Sequence, residues 1–238
     1  MNNEQIIFPY ILEFYNKIQQ KDFIVDKTGV KCVEILCIKI DKLNPLQPNL
    51  NFNNIRKTPE NYVKKELNWY LSQSLSIINY VDDIQIWNQV CTKDNKKEIN
   101  SNYGWCIFSK ENYYQYNFSL DELVNNQDSR RACMIYNRPS ITKEYNKNRM
   151  SDYICTFYTQ QFIRNNKLIY IVDMRSNDFK AGFFSDFPWH CFVYTKFYNE
   201  LKEKYNTIKI GEIIWKVNSF HVYERDFDMI KNIVKSYE

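Results

Sequence analysis

The apolar residues of this chain change period repeatedly, and the order of those changes is what most restricts its architecture. Ile6, Ile7, Tyr10, Ile11, Phe14, Tyr15 and Ile18 recur close to every 3.6 residues, which predicts an amphipathic helix over 4–20. Cys32–Ile40 is alternating and β-branched, as a strand requires. Over 60–71 the period is helical again, with Tyr62, Val63, Leu67 and Tyr70 on one face and Glu66 beside that seam. Asn100–Gly104 reads as a turn and Leu120–Asn126 as a helix. Ala132–Tyr136, Tyr153–Ile163 and Leu168–Val172 read as strands of a buried sheet, and Phe187–Lys204 as an aromatic-rich helix. Ile213–Val217 and His221–Tyr223 read as two short strand-like pieces before a closing helix from about Phe227. Helices and strands in this order, without regular βαβ alternation, indicate an α+β fold. No internal repeat is visible.

A length of 238 residues with no compositional seam suits one domain, 1–238, and 44% apolar residues allow it a substantial core. The formal charge of +4 is too weak to demand a nucleic-acid partner, though it suits a small anionic substrate. The seven cysteines (32, 37, 91, 106, 133, 155, 191) are odd in number and lack CxxC spacing. Reduced thiols, with neither a disulfide framework nor a metal site, are therefore expected, and with them a cytoplasmic setting. The first fifteen residues lack the pattern of a secretory signal, and no run approaches the ~20 apolar residues of a membrane span.

Cys155, in Ser151-Asp152-Tyr153-Ile154-Cys155-Thr156, carries the first chemical question. A lone cysteine in an apolar strand is ordinarily an inert small hydrophobe. A nearby Arg favours the nucleophilic thiolate, and Arg175 follows twenty residues later, where strand pairing could bring it close; spacing alone does not establish that. Arg130-Arg131 reads by itself as a solvated basic turn, and Glu66 equally as part of an exposed Lys64-Lys65-Glu66 face.

Taken together, these motifs form an ordered set. Asp128-Ser129-Arg130-Arg131, Cys155 with Gln160, Arg175-Ser176-x-Asp178, Gly182 and His221-x-Tyr223 resemble the thymidylate synthases. The resemblance is closer to the phage deoxycytidylate hydroxymethylase branch, through residues 25–31 (VDKTGVK), 99–105 (INSNYGW) and 174–178 (MRSND), and it runs from about Lys21 to Arg225. It implies a mixed central β-sheet flanked by helices, with one sheet face forming a homodimer interface. It implies a Cys155 nucleophile that attacks carbon 6 of a pyrimidine and a one-carbon unit supplied by 5,10-methylenetetrahydrofolate, without a metal. Lys27, Arg175 and Ser176 would serve the phosphate, with Gln160 also on the substrate side. Arg130 and Arg131 would reach the phosphate held by the partner subunit. Glu66 would organise water and move protons, His221 and Tyr223 would bond the deoxyribose hydroxyl, and Asp178 would contact the folate ring and support catalysis. Trp87 and Tyr103 would line the nucleotide and folate pocket, core packing being their other reading; His190, beside Trp189, reads as structural. Other nucleotide-synthesis enzymes are candidate partners, and the host cytoplasm is the setting if the source is viral.

Asp186 falls where thymidylate synthases carry an asparagine facing uracil, and the phage branch carries aspartate. An amide offers a donor and an acceptor; an ionised carboxylate only accepts, so uracil would meet a buried mismatch of ~1–3 kcal/mol. Cytosine offers its amino group and, once protonated, ring nitrogen 3, which makes dCMP the expected substrate. A solvated loop aspartate beside Ser185 is the plainer alternative. Thr156 replaces a usual His and Asp152 a usual apolar residue, and the sequence runs only a short way past Tyr223, where thymidylate synthases carry a long closing tail. These departures fit a wetter pocket, with 5-hydroxymethyl-dCMP and tetrahydrofolate as products. The competing readings are a dUMP-using synthase or hydroxymethylase, and a non-catalytic nucleotide- or RNA-binding relative.

Overall fold

The computed structural model describes residues 2–26 and 29–237. In chain order the elements are α1 (Asn3–Gln20), β1 (Ile24–Val25), β2 (Lys31–Leu43), β3 (Asn51–Phe52), β4 (Arg56–Lys57), α2 (Glu60–Ser72), α3 (Gln85–Val90), α4 (Tyr103–Phe108), α5 (Gln115–Asn125), β5 (Cys133–Ile135) and α6 (Ile141–Glu144). They continue with β6 (Thr156–Arg164), β7 (Lys167–Met174), β8 (Asn177–Asp178), a π-turn (Phe179–Phe183), α7 (Phe184–Lys204), β9 (Lys209–Tyr223) and α8 (Phe227–Lys235). Seven strands form one sheet in the order β1-β2-β9-β7-β6-β5, with β8 added beside β9. β7 and β8 run parallel to β9 and the other pairs are antiparallel, so the sheet is mixed, with helices packed on it.

The helices cover one sheet face and seal the aromatic core there. Phe14 of α1, Phe179 and Phe183 of the π-turn, Phe187 of α7 and Trp215 and Phe220 of β9 are all fully buried. The other face is half-open and mixed: Ile135 and Leu36 are exposed, and Tyr158, Phe162, Ile171 and Ile214 are half-buried among Gln160, Glu212 and the Asp173–Lys216 ion pair. A half-open sheet face with apolar residues of this kind has the character of a contact surface.

Several elements differ from their reading in the sequence. β9 is one continuous strand, not two short pieces. Its inward residues are Ile213, Trp215 and Val217, then Phe220 and Val222, so the alternation changes parity around Asn218. Opposite, Cys37 takes φ 56°, and the pairing passes from Leu36–Ser219 to Ile38–Val217. This local irregularity breaks the hydrophobic pattern without breaking the strand. β6 begins at Thr156 rather than Tyr153, because Asp152 ties the preceding backbone to Asn100 and Ser101 and draws it out of the ladder. Cys155 therefore sits just before the strand. Asn100–Gly104 is only half a turn: Asn102 caps α4, its Oδ1 accepting from Trp105 N at 2.7 Å. Gly104 lies against α2, where a Cβ would come within 1.8 Å of the Tyr70 carbonyl oxygen.

Candidate active site

Side chains from α2, α4, the loop before β6 and the first turn of α7 share one electrostatic neighbourhood. Glu66 is buried on α2, and Tyr62, one turn earlier on the same face, donates its phenol to Glu66 Oε1. Trp87 Nε1 donates to the Tyr62 oxygen at 3.0 Å, which makes a relay from Trp87 through Tyr62 to Glu66. Burial raises the Glu66 carboxyl to about 7, against the pull of the Tyr62 and Tyr70 phenols. A carboxyl poised there exchanges protons readily at neutral pH.

Asp186 is buried in the first turn of α7, and burial, then the charge of Glu66, lifts its carboxyl well above the usual range. Opposing this, Asn177 Nδ2 donates to Asp186 Oδ2 at 2.8 Å. Cys155 Sγ accepts from Arg175 Nη2 at 3.5 Å. Burial pushes the thiol up to about 12; Arg175 pulls it down, while Asp186 and Asp152 push it further up. The nucleophile is thus stored as a thiol, and Arg175 is the cation placed to release the thiolate. Buried Tyr103 lies beside both Asp186 and Cys155, whose charges add to burial in raising its phenol.

Arg175 is held from several sides. Its Nη2 also donates to the Tyr153 carbonyl at 3.2 Å, its guanidinium stands 5.1 Å above the Tyr153 ring, and its backbone N–H bonds the Cys155 carbonyl at 2.8 Å. Its Nε is buried without a partner. Such a charged donor is suited to an anion. Ser176 is half-buried next to it. At β8 the pairing with β9 sets Asp178 level with His221, whose ring meets Tyr223 edge-on at 5.2 Å. Asp178 Oδ1 caps the π-turn through the N–H groups of Lys180 (2.7 Å) and Ala181 (3.2 Å), and its Oδ2 lies 3.9 Å from Arg225.

The structure brings together Glu66, Trp87, Tyr103, Cys155, Arg175 and Asp186, and beside β8 it gathers Asp178, His221 and Tyr223. Gln160 stands apart: its Nε2 donates to the Arg130 carbonyl at 2.8 Å, and it lines a cleft of about 560 Å³ on the open sheet face with Cys133, Ile135 and Phe157. Arg130 and Arg131 are exposed, Arg131 pairing with Glu122 at 3.0 Å. Gln161 N bonds Ala132 O, so the arginines lie near the far end of β6. At ~3.3 Å per residue this is roughly 20 Å along the strand from Cys155 of the same protomer. Lys27 lies outside the described residues.

The expectation that Asp152 makes the pocket wetter does not hold in its physical form. Asp152 is buried and both of its oxygens are occupied, Oδ2 by Asn100 N (2.8 Å) and Ser101 N (2.7 Å), Oδ1 by Ser101 Oγ (2.7 Å). It is an anchor for the 99–105 segment that carries Tyr103. Thr156 is fully buried against Tyr103, its hydroxyl unpartnered within hydrogen-bond geometry. His190 is a buried residue of the aromatic core; burial depresses it to about 3, which keeps it neutral. Sequence reasoning passed over two residues. Tyr62 could have been found from its spacing to Glu66; Asn177 leaves no such signal, because its approach to Gly182, where a Cβ would crowd its amide at 2.7 Å, exists only in the folded chain.

The architecture and the site define a class. The chain belongs to the thymidylate synthase family, whose model matches residues 13–237. Within that class it is 43% identical over 229 residues to the deoxycytidylate 5-hydroxymethyltransferase of Enterobacteria phage T4, covering 93% of this chain and 87% of that protein. It is 44% identical over 221 residues to the enzyme of the same name from Enterobacteria phage T2, covering 90% of this chain and 84% of that protein. A thymidylate synthase of Bacillus subtilis subsp. natto is 28% identical over 176 residues, covering 70% of this chain and 58% of that protein. No helix among the described residues is long and apolar enough to cross a membrane.

Proposed function

We propose that this protein transfers a one-carbon unit from 5,10-methylenetetrahydrofolate to carbon 5 of dCMP with addition of water, giving 5-hydroxymethyl-dCMP and tetrahydrofolate. The observation that carries this reading is Asp186, a buried carboxylate within electrostatic reach of the Cys155 thiol. Facing cytosine, it accepts from the amino group and, once ring nitrogen 3 is protonated, from that N–H as well.

The electrostatics then couple recognition to activation. Before binding, burial and Glu66 favour the neutral acid of Asp186, and such negative charge as it carries opposes ionisation of Cys155. Passing that proton to ring nitrogen 3 pairs the carboxylate with the cytosine cation, which leaves Arg175 to favour the thiolate, and the same protonation makes carbon 6 a better target for the sulfur. Cys155 attacks carbon 6, and carbon 5 becomes nucleophilic. Glu66, near neutrality and fed by the Tyr62 relay, holds or delivers the proton at the exocyclic edge and orders water there. The Arg175 guanidinium and Ser176 hold the phosphate, and His221 with Tyr223 the sugar hydroxyl. Asp178 and Trp87 are the side chains that would hold the folate, which when bound supplies the one-carbon unit.

The active unit in this reading is a homodimer of single catalytic domains, paired through the half-open sheet face and acting in the cytoplasm, the host's if the source is viral. The remote position of Arg130 and Arg131 supports it: they lie exposed and too far along β6 to serve their own Cys155, and Arg131 would exchange its pairing with Glu122 for the partner's phosphate. Incubation with dCMP, formaldehyde and tetrahydrofolate, followed by mass spectrometry, tests the whole proposal. A hydroxymethylated dCMP is expected; a methylated nucleotide, or equal turnover of dUMP, would overturn it. Asp186→Asn is expected to shift preference from dCMP toward dUMP.

A further inference from the structure

Resting on that reading of Asp186, we propose that Asn177 is the positioning residue that determines base specificity, its amide N–H fixing one carboxylate oxygen and with it the plane in which the carboxylate meets the pyrimidine. Asn177 is 2% exposed and donates Nδ2 to Asp186 Oδ2 at 2.8 Å. Among the described residues Asp186 Oδ1 accepts no hydrogen bond, and, unlike Asn177 Oδ1, it is not sealed from solvent without a partner. The carboxylate therefore has one tethered oxygen and one free oxygen.

The local fold is shaped to make this contact. Asn177 is fixed in β8 by its pairing with Phe220 of β9, and the π-turn returns the chain so that Asp186 faces it. Gly182 clears the space between, because a Cβ there would come within 2.7 Å of Asn177 Nδ2 and 3.3 Å of Asp186 Oδ2. The orientation of the amide also carries information. A donating amide supports the ionised, acceptor-only form that selects cytosine, against the burial that favours the neutral acid. The buried Asn177 Oδ1 has no partner, a cost accepted in keeping the N–H on Asp186. The titratable groups that bear on Asp186 from its surroundings are Glu66, Tyr62 and Tyr70 of α2, Tyr103 of α4 and Cys155; Glu66 opposes its ionisation, and Asn177, from β8, supports it.

Two readouts test this. In Asn177→Ala the Asp186 carboxyl, followed by carbon-13 NMR of labelled aspartate and assigned by its absence in Asp186→Asn, is expected to titrate about one pH unit higher than in the native protein. The ratio of kcat/KM for dCMP over dUMP is expected to fall about tenfold, chiefly in kcat. Asn177→Ser, which keeps a donor, is expected to recover part of both effects, and it carries the same test if the alanine variant does not fold. An unchanged Asp186 titration, or equal losses on both nucleotides, would overturn the role of Asn177. The titration needs no substrate, so failure of the native protein to use dCMP would strike the proposed function and leave the Asn177 result to be read on its own.

Discussion

At the scale of single residues, the site works by placing acids where they do not ionise easily. Glu66 titrates at about 7 when folded, above the ordinary carboxyl value. Folding therefore binds its proton more tightly, and the stability this contributes is complete at low pH and lost as pH rises through 7. Glu66→Gln is expected to be more stable than the native protein at pH 8 by up to about 3 kcal/mol, and equal to it near pH 4, in urea unfolding. The same change is expected to lower kcat about 10²–10⁴-fold. Tyr62→Phe removes a donor that lowers the Glu66 carboxyl, so the limb of the pH–rate profile near neutrality is expected to move to higher pH. Cys155 and Arg175 were legible as letters in ordered motifs, Asp186 by its count from Arg175, and Glu66 only through the family resemblance. Their states were not: a sequence carries no burial, and burial is the first cause of the shifts at Cys155, Glu66 and Asp186. Gln160 shows the converse, a motif residue that packs on the open face away from the thiol.

At the scale of elements, scaffolding decides where those acids stand. The 99–105 segment looked like a turn but serves as a bracket, with Asp152 bonding its backbone and Arg138 stacked 4.9 Å over Trp105. Gly104 lets α4 sit directly on α2, which aligns Tyr103 and Tyr70 in a stacked pair at 5.3 Å. Gly104→Ala would drive a methyl group into the Tyr70 carbonyl, and a loss of about 3 kcal/mol or more is expected from chemical denaturation, with activity falling alongside. Helix periods were readable in α1 and α2, where one face is buried, but only the second half of α5 was read and the start of α4 was taken for a turn. Strand periods failed at β9, where the parity change at Asn218 mimics a gap, and at Tyr153–Cys155, where side-chain bonds from Asp152 replace the ladder. Neither feature leaves a periodic trace.

At the scale of the whole molecule, the open sheet face and the distant arginines make a further expectation. Arg130→Glu with Arg131→Glu, and Cys155→Ser, are each expected to be nearly inactive as homodimers. Mixed and allowed to exchange subunits, they are expected to recover about a quarter of native activity, since half the dimers are mixed and each holds one intact site. No recovery in a sample shown by ultracentrifugation to exchange would exclude shared sites. The sheet itself has a consequence for how such a molecule comes into being. Its longest pairing is β2 with β9, in which Cys32 lies opposite Tyr223, so β2 waits for a partner strand made far later along the chain. Contacts of that span form slowly, and until they do the apolar faces of the sheet stay uncovered. A nascent chain on the ribosome thus holds no usable pocket, and where synthesis is hurried or warm, yield would be limited by association of unfinished chains before chemistry is ever at issue.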